Sequence, residues 1–304
     1  MRDRWRACAF AWLCCLCGLL VPLAALADPH PPAWWEALRG DGFRLADPSS
    51  ATALAREAIG LLDSPDPAIR DGIAYEALAR WIYEDRLFDA QALAPLVDEL
   101  EARARRGLGE AAGDGLYGRS FALLVLSVVA AADDRDALLD DARFHALVAL
   151  GTGALRGERD LRGHEPGNGW GHATAHAADL LKFLARNPRL RPIEQAGIVG
   201  AIEERLRSAG LVFTWGEDAR LASALAAVAA RDDADPAAFL AWFARLEREA
   251  NDIHHGSFDA IAFTRLVAQR NALAHFETLL DAAGCTPRCE PVRAPLLHAL
   301  LASR

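Results

Sequence analysis

The residues best suited to chemistry lie close together in Arg159-Asp160-Leu161-Arg162-Gly163-His164-Glu165-Pro166-Gly167-Asn168-Gly169-Trp170-Gly171-His172-Ala173-Thr174-Ala175-His176-Ala177-Ala178-Asp179. The glycines and proline between 163 and 169 demand a turn, so a helix is predicted to begin near Asn168 or Gly169. His172, His176 and Asp179 then fall at i, i+4 and i+7 and project from one face. Two imidazoles four apart on a helix can hold a divalent metal. His176 or Asp179 could equally act in general acid–base catalysis, a carboxylate fixing the imidazole tautomer. Asp160, Arg162, His164 and Glu165, in the loop before, are candidate third ligands or substrate contacts. Ala173 stands where a metalloprotease needs its general-base glutamate, so that motif is not matched. A purely structural network also fits these residues, because a helix-entry loop uses Asp, Asn and Arg to satisfy unpaired backbone groups.

Other residues are expected to bear on the same place. Arg119 and Ser120 precede the helix expected to be most buried, residues 121–132, so Arg119 needs a carboxylate partner, with Asp160 or Asp179 as candidates. Glu217 and Asp218 open another helix after Trp215-Gly216. They read as ligand contacts or as acids complementing the helix dipole. His254-His255 reads as a solvated loop pair, and Trp34-Trp35 as an anchor for an N-terminal helix.

The elements that must position these residues are helices. Ile69, Ile73, Ala77 and Trp81 recur every four residues, with Arg70, Asp71, Glu76, Arg80 and Glu84 on the other side. Residues 121–132 are apolar all round and should be enclosed. Asp66-Pro67 and Asp235-Pro236 mark helix starts, and Gly107, Gly151, Gly157, Gly210 and Gly284 mark stops. Helices are expected near 50–63, 67–85, 89–105, 117–132, 138–156, 169–186, 192–209, 217–231, 236–250, 257–281 and 290–302. Taken in pairs they start about 39 to 54 residues apart, close to helical-pair repeats. The expected fold is all-α, a stack of helical pairs (a HEAT-like α-α superhelix or solenoid), with an irregular bundle or toroid as the alternative.

Arg2, Arg4 and Arg6, the apolar run Ala7 to Leu20 and Ala25-Leu26-Ala27 form the three parts of an export signal over residues 1–27. Its apolar run of about 14 residues is short of the roughly 20 needed to span a bilayer, so no membrane span is expected after cleavage. A single domain over 28–304, in the periplasm or secreted, is the reading that follows. Of 33 basic and 42 acidic residues, removing Arg2, Arg4, Arg6 and Asp3 leaves 30 and 41, a net charge near −11. That balance argues against a nucleic-acid partner. Cys285 and Cys289, the two cysteines beyond residue 27, could close a small disulfide loop in an oxidising compartment.

Four blocks carry a family resemblance: Tyr117-Gly118-Arg119-Ser120-Phe121, Glu158-Arg159-Asp160-Leu161-Arg162-Gly163, the run from Gly169 to Leu181, and Glu217-Asp218-Ala219-Arg220-Leu221-Ala222. In these the chain resembles the bacterial domain of unknown function family 2785, over about residues 75–225. The resemblance implies a helical domain with Arg119, Asp160, Arg162, Trp170, His172, His176 and Asp179 as signature residues, and it implies no reaction. His164 stands where the family pattern has an aromatic, and Gly171 where it has alanine. The leading functional expectation is a binding module for a peptide, protein or small molecule, with the histidine helix lining a polar groove. The alternatives are a hydrolase using His172, His176 and Asp160 or Asp179, and the structural network. No cofactor is required, and a divalent metal at His172 and His176 is compatible.

Overall fold

The computed structural model describes residues 29–282 and 289–304. The expected signal segment 1–27, Gly284 and Cys285 lie outside these described residues. Cys289 is buried and disulfide-bonded.

Among the described residues twelve helical segments follow one another: α1 (Pro32–Gly40), α2 (Ala51–Leu61), α3 (residues 67–84), α4 (Ala90–Arg105), α5 (Gly115–Asp136), α6 (Asp141–Gly157), α7 (Ala173–Arg186), α8 (Pro192–Ser208), α9 (Glu217–Ala229), α10 (Ala237–His255), α11 (Ala260–Ala282) and α12 (Glu290–Ala302). Side-chain carboxylates cap several of them, as Asp66-Pro67 predicts for α3. Asp66 accepts from Ala68 N at 2.9 Å, Asp89 from Ala92 N at 2.8 Å and Asp140 from Arg143 N at 2.7 Å.

Packing is sequential and two-layered. Helices α5, α7, α9 and α11 lie side by side, each against the next. Helices α4, α6, α8, α10 and α12 do the same, and α4–α5, α6–α7, α8–α9 and α10–α11 join the two rows. Apolar residues shed water where the inner row (α5, α7, α9 and α11) meets the other row, which supplies most of the driving force. Helix α5, expected to be enclosed, is buried along most of its length. Among the described residues it is the one helix long and apolar enough to cross a membrane, and 78% of its apolar window lies inside the protein. At the N-terminal end Trp35 docks against Trp81, with ring centroids 6.3 Å apart, as the Trp34-Trp35 pair predicted.

Three expectations need correction. Gly151 does not stop a helix. It lies within α6, where a Cβ would meet Leu181 Cδ2 at 2.8 Å, so glycine allows α6 and α7 to approach closely. Helix α3 is not a uniform α-helix: it takes π geometry at Arg70–Tyr75 and again at Arg80–Glu84. A π turn carries an extra residue, so the helical wheel does not hold through it. Arg70, assigned to the solvent side, is fully buried.

The third correction concerns the histidine helix. It starts at Ala173, not at 168–169. Residues 164–170 form a two-residue antiparallel ladder, β1 (His164–Glu165) and β2 (Gly169–Trp170), with His164 opposite Trp170. Gly167 (φ +87°) and Gly169 (φ +71°) turn the chain between them in a conformation that suits glycine.

Candidate functional site

The site is assembled from four pieces: the start of α5, the loop and hairpin 158–170, the start of α7, and the loop leading into α9. Arg119 anchors it. Its guanidinium meets the carboxylate of Glu158 in a two-point pair, at 2.8 and 3.1 Å, and also donates to Arg106 O. Both side chains are almost wholly buried. Glu158 accepts in addition from the backbone N–H of Arg159 and Asp160, both at 3.0 Å. From α8, buried Arg205 donates to Leu155 O and Glu158 O. The partner of Arg119 is therefore Glu158, and neither Asp160 nor Asp179 as expected. Glu158 lies nearer because α6 ends beside the first turns of α5.

Asp160 is held by its neighbour in sequence. Arg162 donates from Nε and Nη2 to its two oxygens at 2.8 and 2.7 Å, and from Nη1 to Glu165 at 2.8 Å. Arg162 Nη2 also reaches Gly113 O, while Tyr117 donates its hydroxyl proton to Glu165 at 2.8 Å. Burial pushes the Asp160 carboxyl up, but the Arg162 guanidinium outweighs it and holds the group below its ordinary value. Burial, and then the hydrogen bond to Glu165, push the Tyr117 phenol up. Buried Arg70 adds a tie that sequence reasoning missed. It donates to Asn168 O at 2.8 Å and lies over the Tyr117 ring at 4.3 Å, joining α3 to the hairpin.

His172 caps α7 in the left-handed region (φ 56°), which places its ring differently from an i position on the helix face. The backbone N–H of Gly171 and His172 donate to Gly163 O and Arg162 O, at 2.8 and 2.9 Å. A Cβ at Gly171 would lie 2.7 Å from Leu116 Cδ2 and 2.9 Å from Arg162 O. The departure from alanine at this position is thus required by the close approach of the loop. The His172 ring stacks on Trp170 at 4.7 Å, and its Nε2 donates to Trp215 O at 3.1 Å, 3.7 Å from Glu217. Burial lowers the His172 pKa, so the ring is neutral at neutral pH.

His176 is sealed. Its Nδ1 lies 2.8 Å from Ser120 Oγ and 3.2 Å from Ser120 O. A carbonyl only accepts, so Nδ1 carries the proton, and the Ser120 hydroxyl donates instead to Gly171 O. The polarity is opposite to that of a serine–histidine nucleophile, where the imidazole takes the serine proton. Burial, then His172, push the His176 pKa down to about 3. The two imidazoles are 5.6 Å apart, and among the described residues no group of three or more His, Cys, Asp or Glu side chains is placed to hold a metal ion.

The remaining candidates separate. Asp179 faces a different cavity, paired with Lys182 at 3.3 Å and with Arg220. Glu217 is buried beside His172 and accepts from Trp215 N at 3.0 Å; burial raises its pKa. Asp218 accepts from Ala219 N at 2.9 Å and lies 3.6 Å from His275. His254 and His255 are exposed in the last turn of α10, not in a loop.

Asp160, Arg162, His164, Glu165, Trp215 and Glu217 line a groove of about 580 Å³. The rings of two of these, His164 and Trp215, lie 5.7 Å apart, and Trp170 packs against both from outside the lining, at 4.8 and 6.1 Å. Trp215 is 51% exposed and Trp170 37%. His164 therefore serves as the ring that the resemblance expects there. Trp215 had no role assigned from sequence. Its signal was weak, a lone tryptophan before a glycine.

A family model described as a protein of unknown function (DUF2785) matches residues 106–280, more than half of the chain. The chain belongs to this family. The DUF2785 match starts later than the span of about 75–225 read from the four blocks, and it continues through α10 and nearly all of α11. The groove, the hairpin and the histidine helix all fall within it. No curated protein and no solved structure matches the chain.

Proposed function

We propose that this DUF2785 protein is an exported binding module. On this reading the helical array is a HEAT-like α-α superhelix, and the groove receives a peptide or small molecule. The 159–165 loop and the loop before α9 line that groove, and not, as expected, the histidine helix. The supporting observation is the contrast between the groove's wall and its rim. Arg162, Asp160, Glu165 and Tyr117 hydrogen-bond one another and fix the wall's shape. Trp215 and Trp170 present exposed rings to solvent. Exposed aromatic rings on a preorganised wall suit recognition, because little order is lost on binding.

A hydrolase built on His172, His176 and Asp160 or Asp179 is less well supported. His176 is sealed with its proton turned to Ser120, Asp160 is engaged by Arg162, and Asp179 faces another cavity.

The test is a panel of short peptides, amino acids and sugars, followed by intrinsic tryptophan fluorescence. A saturable response is expected from at least one class, lost in Trp215→Ala without a change in melting temperature beyond about 2 °C, since Trp215 is half exposed. A response of equal affinity in Trp215→Ala would refute the groove as the binding surface.

A further inference from the structure

Besides the groove, the inner row carries a second cavity of about 400 Å³, with which the groove shares no lining residue. Its walls are largely apolar and aromatic: Tyr75 and Tyr83 from α3, Leu124 and Val128 from α5, Phe183 from α7. Three charged groups converge on it from α7 and α9. Asp179, whose side chain is 4% exposed, accepts from Lys182 and from Arg220 Nη1. A fourth, Glu84, stands at the cavity but is largely exposed and lies 3.5 Å from Arg80.

The charge balance and the donor count point the same way. Two cations share one buried carboxylate, so this trio carries a surplus of one positive charge, while Glu84 faces Arg80. Arg220 has five N–H donors and Lys182 three. Among the described residues their side-chain hydrogen bonds run to Asp179 alone. The Lys182 ammonium also lies 4.4 Å from the Phe183 ring, at the edge of the apolar wall. Arg220 is half exposed, so its remaining donors face open space beside that wall.

We propose that this cavity binds a small organic monocarboxylate with an apolar or aromatic body. Its carboxylate bonds to the free N–H groups of Arg220 and Lys182, and its body lies among Tyr75, Tyr83 and Phe183. Asp179 acts as the buried counter-ion that orients both cations. A guanidinium offers a planar fork to a carboxylate, which favours an acid over a neutral amide of the same shape.

The probe is phenylacetate, titrated calorimetrically into the full chain beside phenylacetamide and phenethylamine. Saturable binding with Kd below about 1 mM is expected for the acid, with the amide at least tenfold weaker and the amine not binding. Arg220→Gln should weaken the acid at least tenfold, and Arg220→Lys should recover part of that loss. Tyr83→Ala, at a half-exposed position, should weaken acid and amide alike by severalfold. Trp215→Ala should leave acid binding unchanged, because the groove is separate. The proposal is overturned if phenylacetate shows no saturation up to about 10 mM, or if the amide or amine binds as well as the acid. Loss of acid binding in Trp215→Ala would also overturn it, by placing the acid in the groove. The comparison of acid, amide and amine on the unaltered protein decides the matter even where a variant fails to fold.

Discussion

The histidine helix has two differently built neighbourhoods. Around its start, from Arg119 and Glu158 through Asp160 and Arg162 to His176, polar side chains are paired with one another, and all of these but Arg162 are buried. One and a half turns further on, Asp179 is just as buried, yet its partner Arg220 is half exposed and borders an open cavity. Both regions draw on the same vocabulary of carboxylates and cationic side chains. Polar groups whose hydrogen bonds are all made internally hold a shape, whereas groups with donors left over can act on something else. Density of chemical residues is therefore a poor guide to a site; the state of their hydrogen bonds is a better one.

The largest effect should come from breaking the closed region. Arg119→Ala leaves Glu158 buried without its cation and should cost about 3–5 kcal/mol, read as a fall in urea midpoint. The pair Arg119→Met with Glu158→Leu should recover a substantial part of it. An Arg119→Ala variant as stable as the parent would mean that the clamp does not hold the loop.

Next comes pH. The folded His176 pKa of about 3 lies far below the ordinary value of 6.5, so the unfolded chain binds the proton more readily. Its stability contribution is complete above about pH 6.5 and is lost progressively as pH falls toward 3. The loss over that window should reach a few kcal/mol. Urea midpoints between pH 4 and 7 should fall with acid, and His176→Asn should flatten that dependence. An equal slope in both proteins would place the acid sensitivity elsewhere.

A smaller effect is expected at the loop's tightest point. Gly171→Ala pushes a methyl group against Leu116 and the Arg162 carbonyl and should cost about 1–3 kcal/mol. Arg220→Gln should show the least change in stability, since the guanidinium is half exposed. A melting loss from Arg220→Gln as large as that from Arg119→Ala would erase the distinction between the regions.

Much of the fold was legible. The four-residue apolar spacing and the Asp and Pro signals depend on neighbours along the chain, and they placed most of the helices within a few residues. The all-round apolar stretch at 121–132 marked the enclosed helix α5 for the same reason. The failures have local causes. A helical wheel puts Arg70 outside because the π turn that rotates it inward has no counterpart in such a wheel. The start of α7 was placed early because a glycine-rich entry can feed either a helix or a tight hairpin, and packing against Leu116 and Arg162 selects the hairpin. Gly151 reads as a stop because the reason for a glycine there, the approach of Leu181, comes from another helix.

The candidate site was legible as a stretch of chain but not as a set of partnerships. That His172, His176, Asp160 and Arg162 fall within 17 positions is read from the chain itself; that they share a neighbourhood depends on the turn at 163–171 folding back on Arg162 and Gly163. Family membership also follows from the residues alone. Which carboxylate meets Arg119, which oxygen takes the His176 proton, and which cavity Asp179 faces were decided only when the helices packed. Those pairings join residues 39 to 56 positions apart, and no local rule reaches so far. The sequence alone determined the helices and that stretch, because periodicity and capping act within a turn or two. Tertiary structure decided which polar groups were closed and which were left open, because burial and hydrogen bonding depend on what the rest of the chain brings to them.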